Sequence, residues 1–288
     1  MERPAWVDSD LYPFEDRWAE IDGHTVHYLD EGDGPPLLML HGNPTWSFYW
    51  RRVIEGLRDR FRCVAPDYPG FGLSRARAGY GFHPAEHAEV VERLVLELDL
   101  REVTLLVYDW GGPIGFAVAG RQPQRFRAFA IGNTWAWPMS GNLGARAFSA
   151  ILGGPLGRAL IERRNLFVER ILRAGTRTDL PERVMDMYRG PFPTPESRRP
   201  MAVMPKDIIA ATPWLRDVEA RLEGLAHRPA LLVWPTSDQA FREGERRRWE
   251  SIFPDHRTVL LEGARHYIAE DAPDEIVAAL REWPVPAG

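Results

Sequence analysis

The segment Val107-Tyr108-Asp109-Trp110-Gly111-Gly112-Pro113 runs from an apolar strand straight into small residues and a helix start. That is the setting of a nucleophile elbow, a sharp strand-to-helix turn that lifts one side chain above a sheet. Serine hydrolases carry Ser at the tip, whereas Asp109 stands here. A carboxylate is already nucleophilic at neutral pH but adds poorly to esters or amides. It suits displacement at an alkyl carbon, which leaves an ester on the protein itself. The plainer role for Asp109 is a helix N-cap, a common place for aspartate.

Three further features follow strand-like runs. His41-Gly42-Asn43-Pro44-Thr45-Trp46 comes after residues 37–40. A loop at that position supplies a backbone N–H to an oxyanion hole, alongside the residue after the nucleophile. Backbone roles for Asn43 and Trp110 follow, while His41 reads as a brace for the loop. Trp234-Pro235-Thr236-Ser237-Asp238 and Glu262-Gly263-Ala264-Arg265-His266 end two later runs. Asp109, Asp238 and His266 thus stand in the order nucleophile, acid, histidine. His266 would activate water, and Asp238 would orient its imidazole. The other histidines (24, 27, 41, 83, 87, 227 and 256) lack this Gly-preceded position after a strand. An acid after the run that follows the elbow is excluded, because no Asp or Glu occurs from Ile131 to Ile161.

The elements that must hold these residues alternate. A hairpin is expected at 17–21 and 25–29, joined by Asp22-Gly23. Buried strands are expected at 37–40, 63–65, 103–107 and 129–131, with helices at 85–98 and 113–121 between them. From about residue 136 the alternation stops. Amphipathic stretches at 145–152, 156–174, 181–187, 206–211 and 213–222 follow one another without a strand. Strands then return at 230–234 and 258–261, with helices at 243–251 and 273–282. The fold class is α/β, a mostly parallel sheet flanked by helices. Residues 1–135 and 229–288 form its core and 136–228 a helical cap. Ligands bind beyond the carboxyl ends of such strands, so the cap would roof the site.

Composition narrows the function classes. The chain has 288 residues, 44% hydrophobic and 27% charged, an ordinary globular balance. Its 36 basic and 41 acidic side chains give a net charge of −5, which disfavours nucleic acid as a partner. No apolar run is long enough for a membrane helix, so no membrane partner is expected. The N-terminal residues lack the basic start and apolar core of a signal peptide, and a cytoplasmic protein is expected. The lone Cys63 sits in a strand-like run and reads as inert core.

Asp-Trp-Gly-Gly-Pro at 109–113, His-Gly-Asn-Pro-Thr-Trp at 41–46 and Asp-Tyr-Pro-Gly-Phe-Gly at 67–72, with Asp238 and His266, resemble the haloalkane dehalogenases of the α/β-hydrolase fold. The resemblance spans essentially the whole chain and is least specific in the cap. It implies that Asp109 displaces halide from a small apolar haloalkane and that water activated by His266 hydrolyses the alkyl-enzyme ester. It also implies two side-chain N–H donors for the departing halide, here Trp110 and Asn43. No metal or organic cofactor is implied, and no metal-ligand spacing occurs. Trp135, Trp137, Met139, Phe148, Leu166 and Phe167, near the cap entry, are expected to supply pocket walls. Pro205 resembles a pocket proline late in the family's caps.

Three rivals share the fold. An epoxide hydrolase uses the same Asp-His-Asp set but normally adds two cap tyrosines to protonate the alkoxide. Between Ala136 and Arg228 only Tyr188 is available. A fluoroacetate dehalogenase would place arginine beside the nucleophile, where Trp110 and Gly111 stand. A non-catalytic ligand-binding relative would have lost a triad residue, and none is missing.

Overall fold

The computed structural model describes residues 3–284; residues 1–2 and 285–288 of the expected core segments lie outside the described residues. Eight strands form one sheet: β1 (Arg17–Ile21), β2 (His24–Glu31), β3 (Pro36–Leu40), β4 (Arg62–Pro66), β5 (Val103–Asp109), β6 (Phe126–Thr134), β7 (Ala230–Pro235) and β8 (His256–Leu261). Their order is β1-β2-β4-β3-β5-β6-β7-β8. The β1–β2 hairpin and the β2–β4 pair are antiparallel. Every other pair is parallel. Asp22 and Gly23 both take positive φ, +49° and +82°, the backbone that a tight hairpin turn demands. Central β5 is buried at every residue, so it reads as a continuous apolar run and not as an alternation.

Eleven α-helices accompany the sheet among the described residues. The first three are α1 (Arg51–Leu57), α2 (Pro84–Glu97) and α3 (Gly111–Arg121). Between β6 and β7 come α4 (Leu143–Leu152), α5 (Pro155–Arg164), α6 (Glu182–Arg189), α7 (Arg199–Ala210) and α8 (Thr212–Leu222). The last three are α9 (Glu243–Ile252), α10 (Ile268–Asp271) and α11 (Pro273–Glu282). Over the core, α1 packs on α11 and α2 on α3.

Two expectations inside the insertion need correction. The single helix expected at 156–174 is broken: α5 ends at Asn165, whose φ of +49° no continuing helix can hold, and a π-helical turn (Phe167–Leu172) follows. Its apolar spacing carries across the break, which hides the break from a periodicity argument. The short stretch expected at 206–211 is the end of a longer α7, which begins with Pro200 in its first turn and carries Pro205 inside.

Candidate active site

The carboxyl ends of β3, β5, β6, β7 and β8 deliver the reactive groups to one place. At the end of β5, Asp109 has φ +47°, a left-handed conformation that costs a non-glycine residue strain and is typical of an elbow. Close backbone packing holds it. A Cβ on Gly111 would lie 2.3 Å from the Leu40 carbonyl oxygen, and one on Gly112 would lie 1.9 Å from Thr134 Oγ1. Thr134 also donates its hydroxyl to the Asp109 carbonyl. The turn therefore needs the small residues that the sequence provides.

The two oxygens of Asp109 have different surroundings. Oδ1 accepts the backbone N–H of Asn43 at 2.9 Å. Oδ2 faces His266 Nε2 at 3.6 Å. The far nitrogen of the imidazole, Nδ1, lies 3.0 Å from Asp238 Oδ2. Asp238 is held in turn by the Ala240 N–H at 2.8 Å and by the amide of Asn133 at 2.6 Å. Asn133 also donates to the His266 carbonyl at 2.8 Å. Asn133 stands near the end of β6, in the stretch from Ile131 that holds no Asp or Glu, and the fold makes it a partner of Asp238 and His266 together.

Electrostatics follow from this packing. Burial lowers the pKa of His266, but the Asp238 carboxylate and then Asp109 more than reverse that, to about 10. Burial raises the Asp238 pKa, and the His266 charge and its hydrogen bond outweigh it, so the net shift is downward. The imidazole is held between two carboxylates, and both favour its charged form. Aromatic rings enclose it, with Phe241 stacked at 5.9 Å, Tyr108 tilted at 5.4 Å and Tyr267 edge-on at 5.0 Å.

Around Asp109 lies a cavity of about 1020 Å³ whose wall includes Asn43, Trp110, Asp238 and His266. The Trp110 indole packs edge-on against Trp135 at 4.7 Å, and its N–H meets no protein acceptor among the described residues. The Asn43 amide gives one N–H to the Met201 carbonyl at 3.2 Å, and a primary amide has a second to offer. Of the expected pocket walls, Trp135, Met139, Phe148, Phe167 and Pro205 do line the cavity. Trp137 and Leu166 do not. Trp137 packs instead on Trp249 of α9 at 4.9 Å, beneath the Arg248 guanidinium.

His41 is fully buried, with Nδ1 2.9 Å from the Gly42 carbonyl and Nε2 accepting the Tyr68 N–H at 3.3 Å. Burial lowers its pKa to about 4, so it is a neutral brace. Asp67 braces the same region, with Oδ1 accepting from the Ser47 N–H at 2.7 Å and Oδ2 from the Leu73 N–H at 2.9 Å. It thereby fastens the loop that carries Asn43. Burial pushes the Cys63 thiol up to about 12, which leaves it unreactive.

Tyr188 does not reach the cavity. It is fully buried and gives its hydroxyl to Glu270, which also pairs with Arg51. One tyrosine that the count over the insertion passed by, Tyr267, does line the cavity, and its buried hydroxyl has no partner.

Residues 35–273 match the family described as alpha/beta hydrolase fold. The chain is 48% identical over 280 residues to haloalkane dehalogenase 2 of Mycobacterium tuberculosis, covering 96% of each. It is 30% identical to a cis-3-alkyl-4-alkyloxetan-2-one decarboxylase of Shewanella oneidensis, covering 95% of this chain and 89% of that one. The crystal structure of haloalkane dehalogenase DbeA from Bradyrhizobium elkani superposes with a TM-score of 0.86 at 29% identity, covering 94% and 97% of the two chains. The chain is a member of the α/β-hydrolase fold family. Within that family it belongs with the haloalkane dehalogenases.

Proposed function

We propose that this protein hydrolyses the carbon–halogen bond of small apolar haloalkanes, using Asp109 as nucleophile, His266 as base, Asp238 as its orienting acid and Trp110 with Asn43 as halide donors. The observation that carries the reading is the differentiated Asp109 carboxylate, with Oδ1 on a backbone N–H and Oδ2 facing His266. Oδ2 attacks the alkyl carbon and halide departs toward the indole and amide N–H groups. Preorganised donors stabilise such a developing anion most where water is excluded. In the second half-reaction water gives a proton to His266 and adds to the ester carbon of Asp109; the bond from that carbon to Oδ2 then breaks, and the alcohol leaves with the proton returned by His266. The Asn43 N–H already sits on Oδ1, the oxygen that gains charge as the tetrahedral intermediate forms. Alkylation also removes the Asp109 charge that helps keep His266 protonated, so the first step prepares the base for the second. In this reading the segment 136–228 is a cap over a core of 1–135 and 229–288.

Purified protein is expected to release bromide and a primary alcohol from 1-bromobutane without additives. Styrene oxide is the control, since the Tyr267 hydroxyl is the one phenol in the cavity wall, among the described residues, that could protonate an alkoxide. Diol formation with no halide release over a panel of chloro-, bromo- and iodoalkanes would reverse the assignment in favour of an epoxide hydrolase.

Asn43→Ala and Trp110→Phe each remove a side-chain donor and leave the backbone N–H groups. Loss of one preorganised donor typically costs about 10²–10³ in kcat. Both variants are expected to slow halide release by that order and to weaken inhibition by added halide. Unchanged kinetics in Asn43→Ala would reduce that side chain to a tether for Met201.

A further inference from the structure

Six large apolar side chains are exposed among the described residues, and five of them stand on α4 and α5: Leu143, Phe148, Ile151, Leu156 and Leu160. Leu143, Ile151 and Leu156 are 76%, 68% and 74% exposed. Only Ser149 of α4 is buried, although the helix reads Leu-Gly-Ala-Arg-Ala-Phe-Ser-Ala-Ile-Leu. A helix this apolar ordinarily turns a stripe toward a core. Here α5 crosses tightly at its end: a Cβ on Gly157 would lie 2.2 Å from the Ile151 carbonyl oxygen. The start of α5 thus packs on the end of α4, and both helices carry exposed apolar side chains around that junction.

The charge of the segment that carries these side chains is opposite to that of the whole chain. Residues 141–165 hold Arg146, Arg158, Arg163 and Arg164 against Glu162 alone, 4 − 1 = +3 in a chain of net −5. Arg146, Arg163 and Arg164 are exposed. Only Arg158 has an acidic neighbour in the segment, Glu162 at 3.9 Å. A second copy docking here by two-fold symmetry would set these arginines against themselves. What satisfies both properties is a surface with anionic groups outside and hydrocarbon beneath. Apolar side chains then enter the acyl boundary while arginines reach phosphate.

We propose that the α4–α5 face docks on anionic phospholipid bilayers. The mode is attachment in the interface plane, consistent with the finding that no helix of the described residues is long and apolar enough to span. Gly144, Ala145 and Phe148 of the same helix also line the cavity, so its wall is continuous with the docking face. A lipophilic haloalkane dissolved in the bilayer would then reach Asp109 with little exposure to water. That consequence rests on the proposed reaction; the surface itself does not.

The test is co-sedimentation of the full chain with vesicles of phosphatidylglycerol and phosphatidylcholine, against phosphatidylcholine alone, at low and high salt. Partition is expected to be at least ~10-fold stronger on the anionic vesicles and to weaken with salt. Ile151→Asp with Leu156→Asp should lower it at least ~10-fold, and Arg163→Glu with Arg164→Glu should lower the anionic preference. All these side chains are exposed, so thermal unfolding and halide release from a water-soluble bromoalkane should match the parent. No sedimentation with either vesicle, or variants that bind like the parent, overturns the proposal. A dimer that the Ile151→Asp, Leu156→Asp variant dissociates would give the face to a second copy and overturn it as well. Vesicle binding without halide release would instead leave this surface standing and sink the proposed reaction.

Discussion

His266→Phe is expected to release about one equivalent of halide and then stop, with an alkyl group held on Asp109. The first half-reaction needs only an ionised carboxylate, a bound haloalkane and donors for the leaving halide. A carboxylate is ionised at neutral pH without help from a base. The second half-reaction needs a proton taken from water, and a positioned base contributes typically about 10²–10⁴ to such a step. In the proposed reaction that base is His266, whose Nε2 lies 3.6 Å from Asp109 Oδ2. Phenylalanine keeps an aromatic ring for Phe241, Tyr108 and Tyr267 to pack against. Single-turnover halide release should therefore persist while steady-state turnover collapses. Intact-protein mass spectrometry should show one added alkyl mass, and peptide mapping should place it on the segment containing Asp109. Asp109→Ala should give neither burst nor adduct. Many turnovers by the histidine variant, or an adduct on another carboxylate, would refute the two-step chemistry.

The convergence of Asp109, Asp238 and His266 was legible because each stands at or just after a strand end, and strand ends are marked locally. Asp109 and His266 are flagged by an apolar run passing abruptly into small residues. Even the sites of strain were visible, since Gly111 and Gly112 are required by contacts with Leu40 and Thr134 that lie on adjoining strands. The lining of the cavity was less legible. Trp135 and Trp137 look alike in the chain, yet one lines the cavity and the other packs on Trp249 of α9. That choice is made by an element more than a hundred residues away, which no local pattern contains. Asn133 and Tyr267 were missed for a related reason. An asparagine at a strand end and a tyrosine after a histidine have many ordinary uses. Only the convergence of β6, β7 and β8 shows that Asn133 touches both Asp238 and His266. Helix α4 was legible in part. The stretch at 145–152 is expected to be amphipathic, with Phe148 in the pocket wall; Phe148 does line the cavity, but Ser149 is the buried residue of α4, and Leu143 and Ile151 are exposed.

Asp238→Asn should be nearly as damaging as loss of the histidine, yet by a different route and with a different pH signature. The carboxylate does two things for His266: it accepts the Nδ1 hydrogen at 3.0 Å, and its charge opposes the lowering of the imidazole pKa by burial. An amide at 238 does neither well. Its surroundings are donors already, the Asn133 amide at 2.6 Å and the Ala240 N–H at 2.8 Å, so its own NH₂ would be pressed toward a hydrogen of the imidazole or of Asn133. In the serine-protease triad, the same change costs about 10⁴ in kcat by favouring the wrong tautomer. A loss of about 10³–10⁴ is therefore expected in hydrolysis of the alkyl-enzyme. Halide release in the first turnover should be much less affected, because Asp109 attacks without proton transfer. The pH dependence separates this from simple misfolding. Water is activated only by neutral imidazole, so the parent's hydrolytic step should rise with pH through the His266 titration in the alkyl-enzyme. That titration lies below the resting value of about 10, because alkylation has removed the charge of Asp109. Removing the charge of Asp238 lowers it again, so in Asp238→Asn the rising limb must move toward acid. Rapid-quench measurement of ester hydrolysis across pH reads the limb directly. A limb that stays in place, or moves toward alkali, would mean that Asp238 does not hold the charge on His266.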